Sequence, residues 1–130
     1  MKVKIGIVYN ALQTINDLSE KPMKVSLIAK LLRLSDDLQK EISIIDKQRY
    51  MIFEKYGNKN EDGNLDIDEN GNISFNSENS NKAQKELDEL SNTEIEITDR
   101  HITEKEFEES DVKLTLKQFN ILKNFLENFE

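Results

Sequence analysis

Apolar residues recur at steps of three, four and seven from Ile28 through Leu31, Leu38, Ile42, Ile45 and Ile52 to Tyr56, the spacing of one face of an α-helix. The pattern predicts one helix over residues 24–56, roughly 50 Å long at 1.5 Å per residue and well beyond the mean helix of a globular domain. As a heptad it places Ile28, Ser35, Ile42, Arg49 and Tyr56 at one seam position and Leu31, Leu38, Ile45 and Ile52 at the other. Val25, Leu27, Leu32 and Leu34 widen the stripe at its N-terminal end, as expected where two neighbours cover it. A first helix is predicted over Ile5–Leu18 from Ile5, Val8, Leu12 and Ile15, although Val3, Ile5 and Ile7 also alternate as a strand that could precede a helix starting near Tyr9. Ser19-Glu20-Lys21-Pro22 supplies the break, since Pro22 lacks an amide donor and disfavours helix at the residue before it. So short a connection makes the two helices an antiparallel αα-hairpin. The first helix reaches about half as far as the second. Residues 42–56 therefore need cover from a C-terminal element or another subunit, and Ile42, Ile45, Arg49, Ile52 and Tyr56 are the expected partner-binding residues.

Beyond residue 56 the pattern changes. Glu61-Asp62-Gly63-Asn64 and Glu69-Asn70-Gly71-Asn72 are turn signals. Residues 65–67 and 73–75 alternate apolar with polar and predict a hairpin around Asn70-Gly71. A short helix follows with Ala83, Leu87 and Leu90 on one side, and residues 93–97 alternate as a strand expected to join the hairpin. Thr103 with Glu106, and Thr115 with Gln118, are capping boxes for two further helices. The second of these, over residues 116–128, presents Phe119, Leu122, Leu126 and Phe129 at helical spacing, with Ile121 and Phe125 beside them. The expected fold is a helix-dominated α+β domain. It comprises an antiparallel αα-hairpin with one long helix, a small antiparallel β-hairpin or sheet, and a C-terminal helix packed on the long one. One domain of 130 residues is expected, with the hairpin in 1–56, the turn-rich part in 57–99 and the C-terminal helices in 100–130.

Charged residues make up 34% of the chain against 36% hydrophobic, a polar balance that suits an elongated or oligomeric helical protein. The net charge of −8 is uneven: residues 1–56 carry ten Lys or Arg against seven Asp or Glu, and the rest eight against nineteen. The absence of cysteine excludes disulfides and thiol catalysis, and no run approaches the ~18 apolar residues of a membrane span. Without a signal-peptide pattern at its start, the chain reads as cytoplasmic.

Candidate chemistry is sparse. Asp66, Asp68, Asn70, Gly71 and Asn72 fit the first positions of an EF-hand, but position twelve is Ser77 where a bidentate Glu is needed. A second frame from Asn58 ends on Glu69 but has Asn at its first two ligand positions, and it overlaps the first. Asp66, Asp68, Asn70 and Asn72 are thus a weak calcium candidate beside the plainer reading of two β-turns. His101, the sole histidine, has no cysteine or second histidine to share a zinc ion, and no Ser or Thr has the setting of a strained nucleophile turn. Phosphate-loop signatures do not occur, so no cofactor is expected and the chain reads as non-enzymatic. Arg33, Lys40 and Lys47 form a seven-residue basic stripe that could track phosphates, but Asp36, Asp37, Glu41 and Asp46 blunt it and nucleic acid is not the expected partner.

Several segments together resemble a family of small uncharacterised proteins of phages and prophages of Gram-positive bacteria. They are Tyr9-Asn10-Ala11-Leu12, Pro22-Met23-Lys24-Val25 leading into Ile28-Ala29-Lys30-Leu31, the run over 49–57 with Asp62-Gly63-Asn64, Leu87-Asp88-Glu89-Leu90 and Glu94-Ile95-Glu96-Ile97, ending in a capped C-terminal helix. The turn at Asn70-Gly71 looks longer than the family's usual version. The resemblance implies a phage context and no site residues. In that context the expected role is a protein–protein interaction module, a virion or assembly accessory acting in the infected cell or the virion and forming homo-oligomers. The alternative is an acidic inhibitor of a host protein such as a defence nuclease, in the manner of an anti-CRISPR protein or a nucleic-acid mimic.

Overall fold

The computed structural model describes residues 1–127 and divides into two compact units, Met1–Ile42 with Glu94–Glu130, and Ser43–Thr93. In chain order the elements are β1 (Lys2–Lys4), α1 (Ile5–Leu18), α2 (Val25–Tyr56), α3 (Ser77–Ser91), β2 (Glu94–Glu96), α4 (Glu104–Glu109) and α5 (Leu116–Leu122), followed by a 3₁₀ turn at Lys123–Phe125. The architecture is helix-dominated with one small antiparallel sheet, and α2 contributes residues 25–42 to the first unit and 43–56 to the second.

In the first unit, α1 and α2 form the expected helical hairpin. Val8, Ala11, Ile15 and Leu18 of α1 share a core with Leu27, Leu31, Leu34 and Leu38 of α2. The seam position occupied by Leu31, Leu38 and Ile45 is buried as the heptad predicts. At the other, Ser35 is buried and Ile42 packs on the core, but Ile28 stays 39% exposed, and Leu27 and Leu34, one residue earlier, point inward. One residue turns a helix by about 100°, so burial of Leu27 leaves Ile28 on the flank of the buried stripe. Val25 and Leu32, expected to be covered, are 80% and 59% exposed.

β1 starts the chain as a strand and α1 begins at Ile5, which settles the choice left open by the alternation of Val3, Ile5 and Ile7. β2 pairs with β1, not with the turn region as expected. The register sets Lys2 opposite Glu96, Val3 opposite Ile95 and Lys4 opposite Glu94, so two cross-strand charge pairs flank an apolar one. Both capping boxes form, at Thr103 with Glu106 and at Thr115 with Gln118. The C-terminal segment closes the core through Leu122 of α5 and through Phe125 and Leu126 beyond it, and α5 leans on α1, where the sequence suggested α2. It is also shorter than predicted. After Leu122 the chain tightens, Leu126 turns extended to bridge Ile102, and the Glu127 N–H donates to the Ile102 carbonyl at 2.7 Å. Asn128 and Phe129 of the expected helix lie outside the described residues.

The second unit holds residues 43–56 of α2, the turn region and α3. Its buried positions include Ile45, Leu65 and Ala83, the Phe53 and Phe75 rings meet at 6.3 Å, and Lys55 pairs with Glu86 at 3.2 Å. Of the hairpin predicted over residues 65–75 only the isolated bridge Ile67 to Ile73 is present, and a second, Lys59 to Leu65, precedes it. A tandem repeat of eight residues explains both. Asn58-Lys59-Asn60-Glu61-Asp62-Gly63-Asn64-Leu65 is followed by Asp66-Ile67-Asp68-Glu69-Asn70-Gly71-Asn72-Ile73, and each octad folds back on itself through its own bridge.

The octads are joined by a closed ring of backbone hydrogen bonds. The Asn58 N–H donates to the Ser74 carbonyl (2.8 Å), Ser74 N–H to Asp66 (3.1 Å) and Asp66 N–H to Asn58 (2.8 Å). These three residues stand eight apart, so each first position gives one bond and receives one. The residues just before them, Gly57, Leu65 and Ile73, converge: a Cβ placed on Gly57 would lie 2.6 Å from Leu65 Cδ2, 2.7 Å from the Phe53 carbonyl oxygen and 2.9 Å from Ile73 Cγ2. At the third position Asn60 and Asp68 each accept two backbone N–H groups of their own turn, and Gly63 and Gly71 adopt φ near +80°. Position three of the next octad is Asn76, which accepts from the Asn79 N–H and caps α3. There Asn79 stands where the first two octads carry glycine, and the chain continues as helix instead of turning back.

Candidate functional site

Of the five residues expected to bind a partner, the structure leaves Arg49 exposed. Ile45 is only 2% exposed, and Ile42, Ile52 and Tyr56 are half-buried. Ile42 packs against the core of the first unit. In the second unit Phe53 of α2 meets Phe75, Lys55 pairs with Glu86 of α3, and Gly57 lies against Leu65 and Ile73. The burial of Ile45 therefore corrects the expected open seam: the side chain serves the fold.

Apolar surface is exposed at the N-terminal end of α2, as it also is at Ile44, Tyr50 and Met51 further along the helix. Val25, Ile28 and Leu32 follow one another at three and four residues, so they share a face of the helix. Beside them, between the end of α1 and the start of α2, lies a groove of about 140 Å³ lined by Ile15, Leu18, Met23, Ile28, Leu31 and Leu32, with Lys21 at its rim. The local chemistry makes this end firm. Lys21 Nζ donates to the Lys113 carbonyl at 2.7 Å, and the Lys24 N–H donates to Ser110 Oγ at 3.2 Å.

The turn of α2 next to the face is tied to α4. Lys30 Nζ reaches Glu106 Oε1 at 2.8 Å and the His101 carbonyl at 2.9 Å. Glu106 also closes the capping box by accepting from the Thr103 N–H. Partial burial works against its charge, but the Lys30 ammonium and the Thr103 backbone outweigh it and hold the carboxyl below its ordinary value. Asp37 is held by Arg100, whose Nε lies 2.8 Å from Asp37 Oδ2. Asp36, next to it and exposed, makes no ion pair among the described residues. In the second unit Glu54 is lowered by hydrogen bonds from Lys59 and Tyr50, and Tyr50 is raised by the same contact.

The other candidates fall into place. Asp68 of the calcium frame spends its carboxylate oxygen on the Asn70 and Asn72 N–H groups. Asp66, Asp68, Asn70 and Asn72 lie in a β-turn and its flanks, and among the described residues no three His, Cys, Asp or Glu side chains gather. His101 is exposed, in the left-handed region at φ 53°, with Nδ1 3.5 Å from Glu127 Oε1. Its backbone is held by Asp99, whose Oδ1 accepts the His101 N–H at 2.8 Å. Arg33, Lys40 and Lys47 are all exposed, and Lys40 shares a shallow pocket with Asp37, Glu41 and Glu96. The face at Val25, Ile28 and Leu32 was missed because the sequence reading counted all three as buried. The signal for it lay in the competing row Leu27, Leu31, Leu34 and Leu38, which keeps heptad spacing without Ile28. Comparison with protein-family models, curated proteins and solved structures finds no match to this chain.

Proposed function

We propose that this chain is a non-enzymatic protein–protein interaction module encoded by a phage or prophage, and that it serves as a virion or assembly accessory. The observation that carries the reading is the apolar face at Val25, Ile28 and Leu32. Exposed aliphatic groups on a firmly packed helix, beside a groove and rimmed by charge, are what a contact surface requires. The phage context rests on the resemblance drawn from the sequence. No helix among the described residues is long and apolar enough to cross a membrane, and the proposed partners are proteins.

The acid concentrated beyond Tyr56 supports a second reading, an inhibitor that offers a negative surface to a host protein such as a defence nuclease. One experiment separates the two. The gene is deleted from the prophage that carries it, the prophage is induced, and particle yield and infectivity are measured with and without the wild-type gene supplied in trans. The assembly reading expects defective particles restored by the gene. Normal particles that have lost only their resistance to host defence would replace it with the inhibitor reading.

A further inference from the structure

We propose that Asn70 is a self-modification site, whose side chain deamidates through a succinimide closed by the Gly71 backbone nitrogen. Of the four glycines, Gly71 alone follows an asparagine. The reaction needs a carboxamide carbon and the next backbone nitrogen to meet, and glycine leaves that nitrogen unshielded and its backbone pliant. Gly71 N attacks Asn70 Cγ, the Cγ–Nδ2 bond breaks, and the proton of the Gly71 N–H leaves with the amide group as ammonia. Water then opens the ring at either carbonyl. One opening returns aspartate at position 70, the other isoaspartate, in which the main chain runs through the former side chain. Water is the only reagent consumed.

The structure sets this asparagine apart from the others that precede a small residue. Asn70 and Gly71 are both exposed at the tip of the second octad, and no atom lies within 4 Å of where a Gly71 Cβ would stand. The attacking nitrogen is held in the turn by the Asp68 carbonyl at 3.1 Å. Asn10, before Ala11, lies within α1. Asn76, before Ser77, spends its side-chain oxygen on the Asn79 N–H as the cap of α3. The nitrogen that would attack Asn79 belongs to Ser80, inside α3, and donates to the Asn76 carbonyl at 2.8 Å.

The first octad shows how the product is accommodated. Asp62 stands there in the place of Asn70, and the turn is the same. Asn60 Oδ1 accepts the Asp62 and Asn64 N–H groups at 2.9 and 3.1 Å, as Asp68 Oδ1 accepts those of Asn70 and Asn72 at 2.8 and 2.9 Å. The Gly63 N–H likewise reaches the Asn60 carbonyl at 3.0 Å. Aspartate at position 70 therefore keeps the turn and adds a negative charge beyond Tyr56, where the acid of the chain is concentrated. Isoaspartate inserts a methylene into the backbone before Gly71, which carries the Gly71 and Asn72 N–H groups away from Asp68 and opens the turn.

To test this, the full chain is held folded in mildly alkaline buffer for days to weeks and digested with trypsin beside an unaged sample. The peptide over residues 60–82, which contains Asn70, Asn76 and Asn79, is then sequenced by electron-transfer fragmentation. That method locates the mass gain and distinguishes isoaspartate from aspartate. Conversion at Asn70 is expected to run about tenfold or more faster than at Asn76 or Asn79 in the same molecule. Asn70→Asp is expected to melt within about 2 °C of the wild type, and the isoaspartyl fraction, separated by ion exchange, to melt earlier. Conversion at Asn70 no faster than at Asn76 and Asn79 overturns the site. An Asn70→Asp chain that melts as early as the isoaspartyl fraction overturns the accommodation of aspartate in the turn.

Discussion

Gly57 is needed for the side chain it lacks. Its backbone stays outside the left-handed region, yet a methyl group there would press on Leu65, Ile73 and the Phe53 carbonyl at once. Gly57→Ala should therefore cost about 2–3 kcal/mol by overpacking, read as a lower midpoint in urea denaturation. Gly63→Ala and Gly71→Ala meet no atoms within 4 Å but keep φ near +80°, so backbone strain alone predicts a smaller loss of about 1–2 kcal/mol each. If Gly57→Ala were no worse than those two, the convergence at the centre of the ring would be loose. Glu106 gives a different signature. Its folded-state carboxyl is held below the ordinary value, so its stabilisation is present above the unfolded pKa and is lost as pH falls through the lowered folded value. Glu106→Gln keeps a capping acceptor but loses the charge opposite Lys30. The variant should be about 0.5–1 kcal/mol less stable near neutrality, the gap closing as the carboxyl protonates in acid. Thermal melts of both proteins between about pH 3 and 7 follow that convergence.

Among the elements, those written in local chemistry were legible. α1, α2 and both capping boxes follow from helical spacing and from Thr with Glu or Gln three residues on, information carried within a dozen residues. The inward face of α2 was half legible, because its N-terminal turns are apolar nearly all round and a heptad can be drawn through Ile28 as readily as through Leu27. The partner of β2 was not. Three-residue strands carry little pattern, and pairing across ninety residues or more is decided by tertiary packing; the alternation of Lys around Val3 and Glu around Ile95 was the one hint. The octads were visible in another guise: the two calcium frames begin at Asn58 and Asp66, and the eight residues between their starts are the repeat. At this scale Ile45→Asp becomes a folding lesion. With Ile45 2% exposed, an unpaired carboxylate there should cost about 3 kcal/mol or more and show as an early transition in thermal unfolding. Native-like stability in that variant would return Ile45 to the list of contact residues.

At the scale of the whole molecule, the face at Val25, Ile28 and Leu32 lies in the first unit, and the octads with their exposed acidic and amide side chains lie in the second, where Ile44, Tyr50, Met51 and Ile67 are exposed as well. The face and the octads belong to separately packed parts, and substitutions in one are expected to add to those in the other. The ring at Asn58, Asp66 and Ser74 adds a constraint of another kind. Its bonds close only when equivalent positions stand one full octad apart, and a single residue gained or lost in either turn would put every later donor out of phase with its acceptor. Length in this segment is thus constrained twice over: a residue gained or lost in a turn opens the ring, and a whole added octad would have to be taken into a wider one, so this segment is expected to tolerate substitution at its exposed positions far better than any change of length.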